Sequence, residues 1–322
     1  MLGDMLLQMW KYFNSGWQMN DFQLRRQQYL AFVKILDAMN VAYLLTHMVM
    51  VVQALLWRNQ ERTLLSQLPP IGVGISLTNM RIHLAVDCII TGSTLLMGVV
   101  NSIQAKQTIA NMRYLYSTQA VRARCLQVAL LVMRLDAQLL TLQAQLSNGR
   151  RCNLELRATY AHIVRLTRKI SDLYGLSVLL MNMLCIGDFI MVCYAYIVLW
   201  EITDTNLSWL LIWQGFYVLL PTTMKIWILC AACHNCAKHS EQLQTLLRGS
   251  CKENRTIYGI DLRASRDQTN EFALQIMQNP VHFDVCGIYH LNLKTLAGMF
   301  LFILESLVIF LQFVALVKQQ SI

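Results

Sequence analysis

Four stretches of this chain are long and apolar enough to cross a bilayer, and that restricts its fold more than any other feature. A helix rising 1.5 Å per residue needs about 20 mostly apolar residues to span roughly 30 Å of hydrocarbon. Leu84–Gln104, Leu176–Trp200, Leu207–Ala232 and Thr295–Val317 meet that requirement. A fifth stretch, Val41–Trp57, is short but extends backward through Ile35, Leu36 and Met39, with Asp37 interrupting it. Hydrophobic residues make up 56% of the 322 and charged residues 14%, too little polar surface to solvate two ordinary soluble domains. With 14 Gly, 4 Pro and 10 Cys scattered along the chain, collagen, disordered and disulfide-scaffold classes are excluded as well. The expected fold is an all-α polytopic membrane protein, a helical bundle with spans at 37–57, 84–104, 176–200, 207–232 and 295–317.

Cys125–Leu146 is the ambiguous segment. It is leucine-rich, but Arg134 and Asp136 would each cost a few kcal/mol at a bilayer centre. Leu131, Leu135, Leu139, Leu142 and Leu146 recur at helical spacing, the pattern of an amphipathic helix packing on a partner, so the segment is expected in the cytosol.

The formal charge of +9 is compatible with nucleic acid, an anionic lipid surface or a topology signal, and its distribution decides. Between Ala105 and Gly175 there are 11 Lys and Arg against three acids, a net of +8 in one connection. The positive-inside rule makes this stretch, 105–175, a cytosolic helical insert. Glu201–Asn206 has two acids and no basic residue and falls outside; Arg58–His83 falls outside by alternation, and 233–294 inside. Met1–Leu36 has no basic region ahead of an apolar run, so it reads as a cytosolic N-terminal segment rather than a cleaved signal. Five spans starting inside put the C-terminus outside, with 295–322 forming the last span and a short external tail. No nucleic-acid partner is expected; membrane lipid is.

Catalytic patterns are missing from the sequence: no Gly-rich phosphate loop, nucleophile elbow or His-Glu-x-x-His, so no enzyme activity is expected. Cys230-Ala231-Ala232-Cys233-His234 has the spacing of c-type haem attachment, with Cys236 and His239 following. Helical spacing of small apolar cysteines explains it better, since haem attachment needs an oxidising compartment and tetrahedral zinc a second ligand pair. No cofactor or metal is expected. Tyr194, Tyr196, Trp200, Trp209, Trp213 and Tyr217 flank the external turn. They either anchor the interface or, with Asp87, line an outer pocket for a small organic ligand.

Ionisable residues inside spans need a partner or water. Asp87 and Asp188 could pair with each other or with polar neighbours, and Lys225 could snorkel toward the cytosol. Glu305 lies mid-span, and Gln312, seven residues on, shares nearly its face with Val308 and Ile309 between. Acidic, apolar and amide groups on one face suit a cation pathway with an apolar gate. Interhelical hydrogen bonding within one bundle explains them equally well.

Glu305-Ser306, the hydrophobic run Leu307–Leu311 and Gln312-Phe313 resemble the final-span signature of the insect gustatory receptor family, which reads Thr-Tyr, five hydrophobics, Gln-Phe. The run and Gln-Phe match; Thr-Tyr does not. Phe272-Ala-Leu-Gln275, Phe283, Gly287 and Leu291 are similar to the family's segment leading into that span. The resemblance implies a seven-span, tetrameric, ligand-gated cation channel in the plasma membrane of chemosensory neurons. A small-molecule tastant would bind in the outer half, other subunits would assemble around a central pore, and Gln312 and Phe313 would be pore or gate residues beside Glu305 and Ile309. The five spans would be the family's third to seventh, with the first two missing from this chain. Two other classes stay open. A G-protein-coupled receptor would need a cytosolic C-terminus, and Asn279-Pro280 precedes the last span instead of closing it. A transporter would need internal repeats and interrupted helices, hinted at only by Pro221.

Overall fold

The computed structural model describes residues 19–68, 77–104, 108–147, 154–203, 209–253 and 261–320. They form α1 (Met19–Leu56), α2 (Arg58–Gln67), α3 (Leu77–Gln104), α4 (Thr108–Ser147), α5 (Leu154–Thr203), α6 (Trp209–Glu253) and α7 (Asp261–Gln278). A hairpin of β1 (Asp284–Val285) and β2 (Tyr289–His290) then leads into α8 (Leu293–Gln320). The fold is all-α, as the apolar runs predict, with this one short hairpin inserted before the last helix.

A seven-residue repeat holds the bundle together. Along α5 one stripe of buried positions steps alternately by four and three residues: Leu156, Tyr160, Ile163, Thr167, Ile170, Tyr174, Ser177, Met181, Leu184, Asp188 and Met191. On α4 the same stepping runs Val121, Cys125, Val128, Val132, Leu135, Leu139, Leu142, and on α6 Thr222, Ile226, Leu229, Cys233, Cys236, Ser240, Leu243, Leu247. An average of 3.5 residues per turn keeps one stripe of a long helix against its neighbour, the condition for knobs-into-holes packing. The leucines expected to pack on a partner do so. Leu135, Leu139 and Leu142 are buried and Leu146 packs against the same core, and α4 makes its most extensive contact with α6.

Side-chain pairs give the helix directions. Tyr43 bonds Asp188 while Gln53 bonds Ser177, so α1 and α5 are antiparallel. Arg122 meets Thr222 and Asp136 meets His239, so α4 and α6 are parallel. Asn182 meets Tyr289 of β2, just ahead of α8, and Phe189 meets Phe300 edge-on, so α8 runs with α5. Three residues link α3 to α4, which pack on each other and therefore turn back. The long helices α1, α3, α4, α5, α6 and α8 thus alternate in direction.

Two sequence expectations differ from this arrangement. The stretch 105–175 was expected wholly beyond the spans, yet the N-terminal part of α4 runs beside them. Ser117 lies 3.3 Å from His47 of the 37–57 segment, and Arg122 donates to Thr222 of the 207–232 segment at 2.9 Å. The reason is that its charges have partners: Arg122 on Thr222, and Arg124 on Glu61 and over the Tyr174 ring at 4.5 Å. The connection 58–83 was expected on the opposite side from 105–175. Instead Lys169 donates to Gln67 at 3.1 Å, placing α2 at the basic end of the bundle beside the start of α5. With α4 counted, α1 begins at the end where α8 finishes, whereas five alternating spans would separate those two ends. Three windows, within Ala38–Leu56, Leu115–Ser147 and Leu154–Cys193, have the length and apolar composition for crossing a membrane among the described residues, and α4 holds one of them.

The hairpin is seated on α5. Phe283 and Val285 are buried, Leu291 N–H donates to the Phe283 carbonyl at 2.8 Å, and Ser171 Oγ accepts from Asp284 N–H at 3.1 Å. Gly175 permits the approach, because a Cβ there would stand 3.1 Å from the Cys286 backbone nitrogen. Cys286 itself takes a left-handed φ of 52° and Gly287 one of 69°, forming the turn between the strands.

Candidate functional site

The bundle interior contains a ladder of buried polar side chains. On α6, Lys225 donates to Asp87 Oδ1 of α3 at 2.5 Å and to Thr91 Oγ1 at 2.9 Å, with its side chain only 2% exposed. Lys225 therefore does not snorkel; Asp87 holds it inside the core. One helical turn away on α6, Thr222 accepts from Arg122. Asp188 receives the Tyr43 hydroxyl, and Gln53 donates to the Leu173 carbonyl at 2.5 Å while accepting from Ser177 at 2.6 Å. Asp87 and Asp188 are thus each tied to a different helix rather than to each other. Sequence reasoning found both acids and missed Tyr43, Gln53 and Arg122, because polar residues at core positions of a repeat carry no mark that distinguishes them from surface ones.

The cysteines belong to the packing. Cys230, Cys233 and Cys236 are all buried on α6, the last two within its seven-residue seam. At Cys236, burial first and Asp136 second push the thiol well above its ordinary range, which favours the neutral thiol. Asp136 instead meets His239 at 2.6 Å.

Of the proposed outer pocket, Asp87 lies among the described side chains, in its ion pair with Lys225. The side chains of Tyr194, Tyr196, Trp200, Trp209, Trp213 and Tyr217 lie outside the described residues, as does that of Phe313.

Among the described residues, the last helix buries one edge against the rest of the chain. Leu296 and Ile303 are buried, and Phe300, between them, meets Phe189 of α5 at 5.7 Å. Phe302, Glu305, Ile309 and Gln312 are exposed, with Leu301, Leu304, Val308 and Leu311 beside them. At 100° per residue, Gln312 lies about 20° from Glu305, and both lie roughly opposite Ile303. Among the described residues, Glu305, Ile309 and Gln312 therefore lie together on the side of α8 turned away from its buried edge.

The model of the 7tm chemosensory receptor family matches residues 5–316. A putative gustatory receptor 9a of Drosophila melanogaster is 41% identical over 287 residues, covering 89% of this chain and 81% of that protein. The solved structure of the insect olfactory receptor OR5 from Machilis hrabei aligns with a TM-score of 0.57 at 14% identity, over 86% of this chain and 81% of that one. The shared architecture, the matched family model and the similarity to a gustatory receptor lead to one statement: the chain belongs to the 7tm chemosensory receptor family.

Proposed function

We propose that the chain is a subunit of a tastant-gated cation channel in the plasma membrane of chemosensory neurons, with α8 lining a pore shared by four subunits. Membership of a receptor family makes it a receptor and not an enzyme. The observation that carries the finer reading is the exposed strip of α8. Glu305 and Gln312 stand opposite the buried edge with Ile309 between them, an arrangement costly against lipid and natural around a water-filled axis. Four copies would form an acidic ring above or below an apolar constriction. A small organic ligand bound among the outer ends of α5 and α6 would favour the open arrangement by its higher affinity for it.

The test is ligand-evoked current from cells expressing the chain alone and with related subunits. Glu305→Gln is expected to reduce cation over anion permeability several-fold, and Ile309→Ser to raise current without ligand by wetting the constriction. Unchanged permeation in Glu305→Gln removes that residue from the pore.

In the same reading the basic end of the bundle is cytosolic. Arg58, Arg62 and Arg81 then join the arginines of 148–175 on the inner side, in better accord with the positive-inside rule than the five-span alternation.

A further inference from the structure

The hairpin ahead of α8 gathers three side chains that the sequence leaves unrelated. Asp284 and His290 are direct cross-strand partners in the antiparallel pair, so their side chains leave the same face. His282 precedes Asp284 by two residues in an alternating segment in which Val281, Phe283 and Val285 are buried and His282 is exposed. The inward residues thus fix the outward face. His290 Nδ1 contacts Asp284 Oδ1, His282 Nε2 lies 3.6 Å from Asp284 Oδ2, and the two imidazole rings meet edge-on at 4.8 Å.

We propose that His282, Asp284 and His290 form a binding site for a divalent transition-metal ion of the zinc class. Their ligand atoms all lie within 4.8 Å of one another. Metal–nitrogen and metal–oxygen bonds of about 2.0–2.2 Å in tetrahedral geometry need ligand atoms roughly 3.4 Å apart. The His290–Asp284 contact has to open and the remaining separations to close, and side-chain exposures of 44%, 42% and 62% leave room for both. Two imidazoles and one carboxylate suit zinc and disfavour calcium or magnesium, which take mostly oxygen ligands. Three protein ligands leave a fourth position to water. The site borders a cavity of about 640 Å³ between α5 and the hairpin, lined also by Arg168, Asp172 and Cys286, which gives an ion and its water a route in.

The scaffold is already fixed before any ion arrives. Asn182 of α5 donates to the Tyr289 hydroxyl at 2.5 Å, and Thr295 in the first turn of α8 donates to the His290 carbonyl at 2.5 Å. Asn292 caps the same helix, accepting from Thr295 N–H at 2.9 Å. A bound ion would therefore tie the strand before the turn to the strand that leads directly into α8.

The test needs no assumption about channel activity. The full chain, purified in detergent and stripped with a chelator, is titrated with Zn2+ calorimetrically and with Co2+ by its tetrahedral absorption bands. One saturable equivalent per chain is expected, weakened at least about tenfold in His290→Ala and in Asp284→Asn and unchanged in His162→Ala. His282→Ala, outside the paired strands, gives the same loss without touching the ladder, and circular dichroism confirms that each variant is folded. No saturable binding by the folded wild-type chain, or equal affinity in folded His290→Ala and His282→Ala, overturns the proposal.

Discussion

Lys225 and Asp87 hold each other's charge in the core, and the consequence is an asymmetry between removing one and removing both. Two charges with side-chain exposures of 2% and 4% have given up nearly all their hydration, and their mutual attraction and the Thr91 hydroxyl offset that loss. Taking away one partner leaves the other buried and uncompensated, which costs about 3–5 kcal/mol, whereas replacing both by neutral groups of similar size is often near neutral. Lys225→Met should therefore lower the thermal unfolding midpoint in detergent sharply, and Lys225→Met with Asp87→Asn should regain most of it. Equal losses in the single and double variants would show that the pair contributes no coupling. The sequence displayed both charges plainly, since each interrupts an apolar run. It could not display that they meet, because 138 residues separate them and nothing local encodes the pairing.

At the scale of elements, the seven-residue repeat explains both what could be read in advance and what could not. α5 and α6 were recognisable from their apolar halves, but each continues as one helix far past the membrane stretch, to 50 and 45 residues. The repeat runs through the change from apolar to polar composition, and a hydropathy window sees only the change. The same blindness hid the part of α4 that packs beside the expected spans, where a window registers Arg122 and Arg124 as penalties while the fold gives each a partner. Tyr160 fits a seam position because its hydroxyl donates to the Asn279 carbonyl at 2.9 Å and meets Ser240 at 3.1 Å. If the seam holds the bundle, truncation should be costly along it and mild elsewhere. Leu139→Ala, at a position 1% exposed, should destabilise by about 2–5 kcal/mol. Met183→Ala, 59% exposed on α5, should change stability by less than about 1 kcal/mol. Comparable losses measured by chemical or thermal unfolding would mean that packing is spread evenly around these helices.

The whole molecule turns on a count of helices. Charge density and resemblance in the last span are both local signals, and the second pointed to the family that the comparisons show. Alternation is not local: a single helix omitted from the count reverses every assignment upstream of it. Counting α4 moves the end of α2 to the end that carries Lys169, where Gln67 meets it, and moves the start of α1 to the end where α8 finishes. In the membrane this becomes a statement about sides. A cysteine introduced as Gly74→Cys, in a background with Cys88→Ser and Cys286→Ser to remove the thiols exposed among the described residues and with Cys152→Ser and Cys251→Ser beside them, should react with a membrane-impermeant maleimide only after the cells are permeabilised. The five-span alternation makes the opposite prediction, labelling in intact cells, so each outcome is a positive signal for one count. Labelling of intact cells would take α4 back out of the membrane and leave Arg122 and Thr222 to be explained as a cytosolic contact. Labelling confined to permeabilised cells would place Arg58, Arg62 and Arg81 in the cytosol and make the orientation of α8, with Glu305 along it, follow from two independent charge signals instead of one.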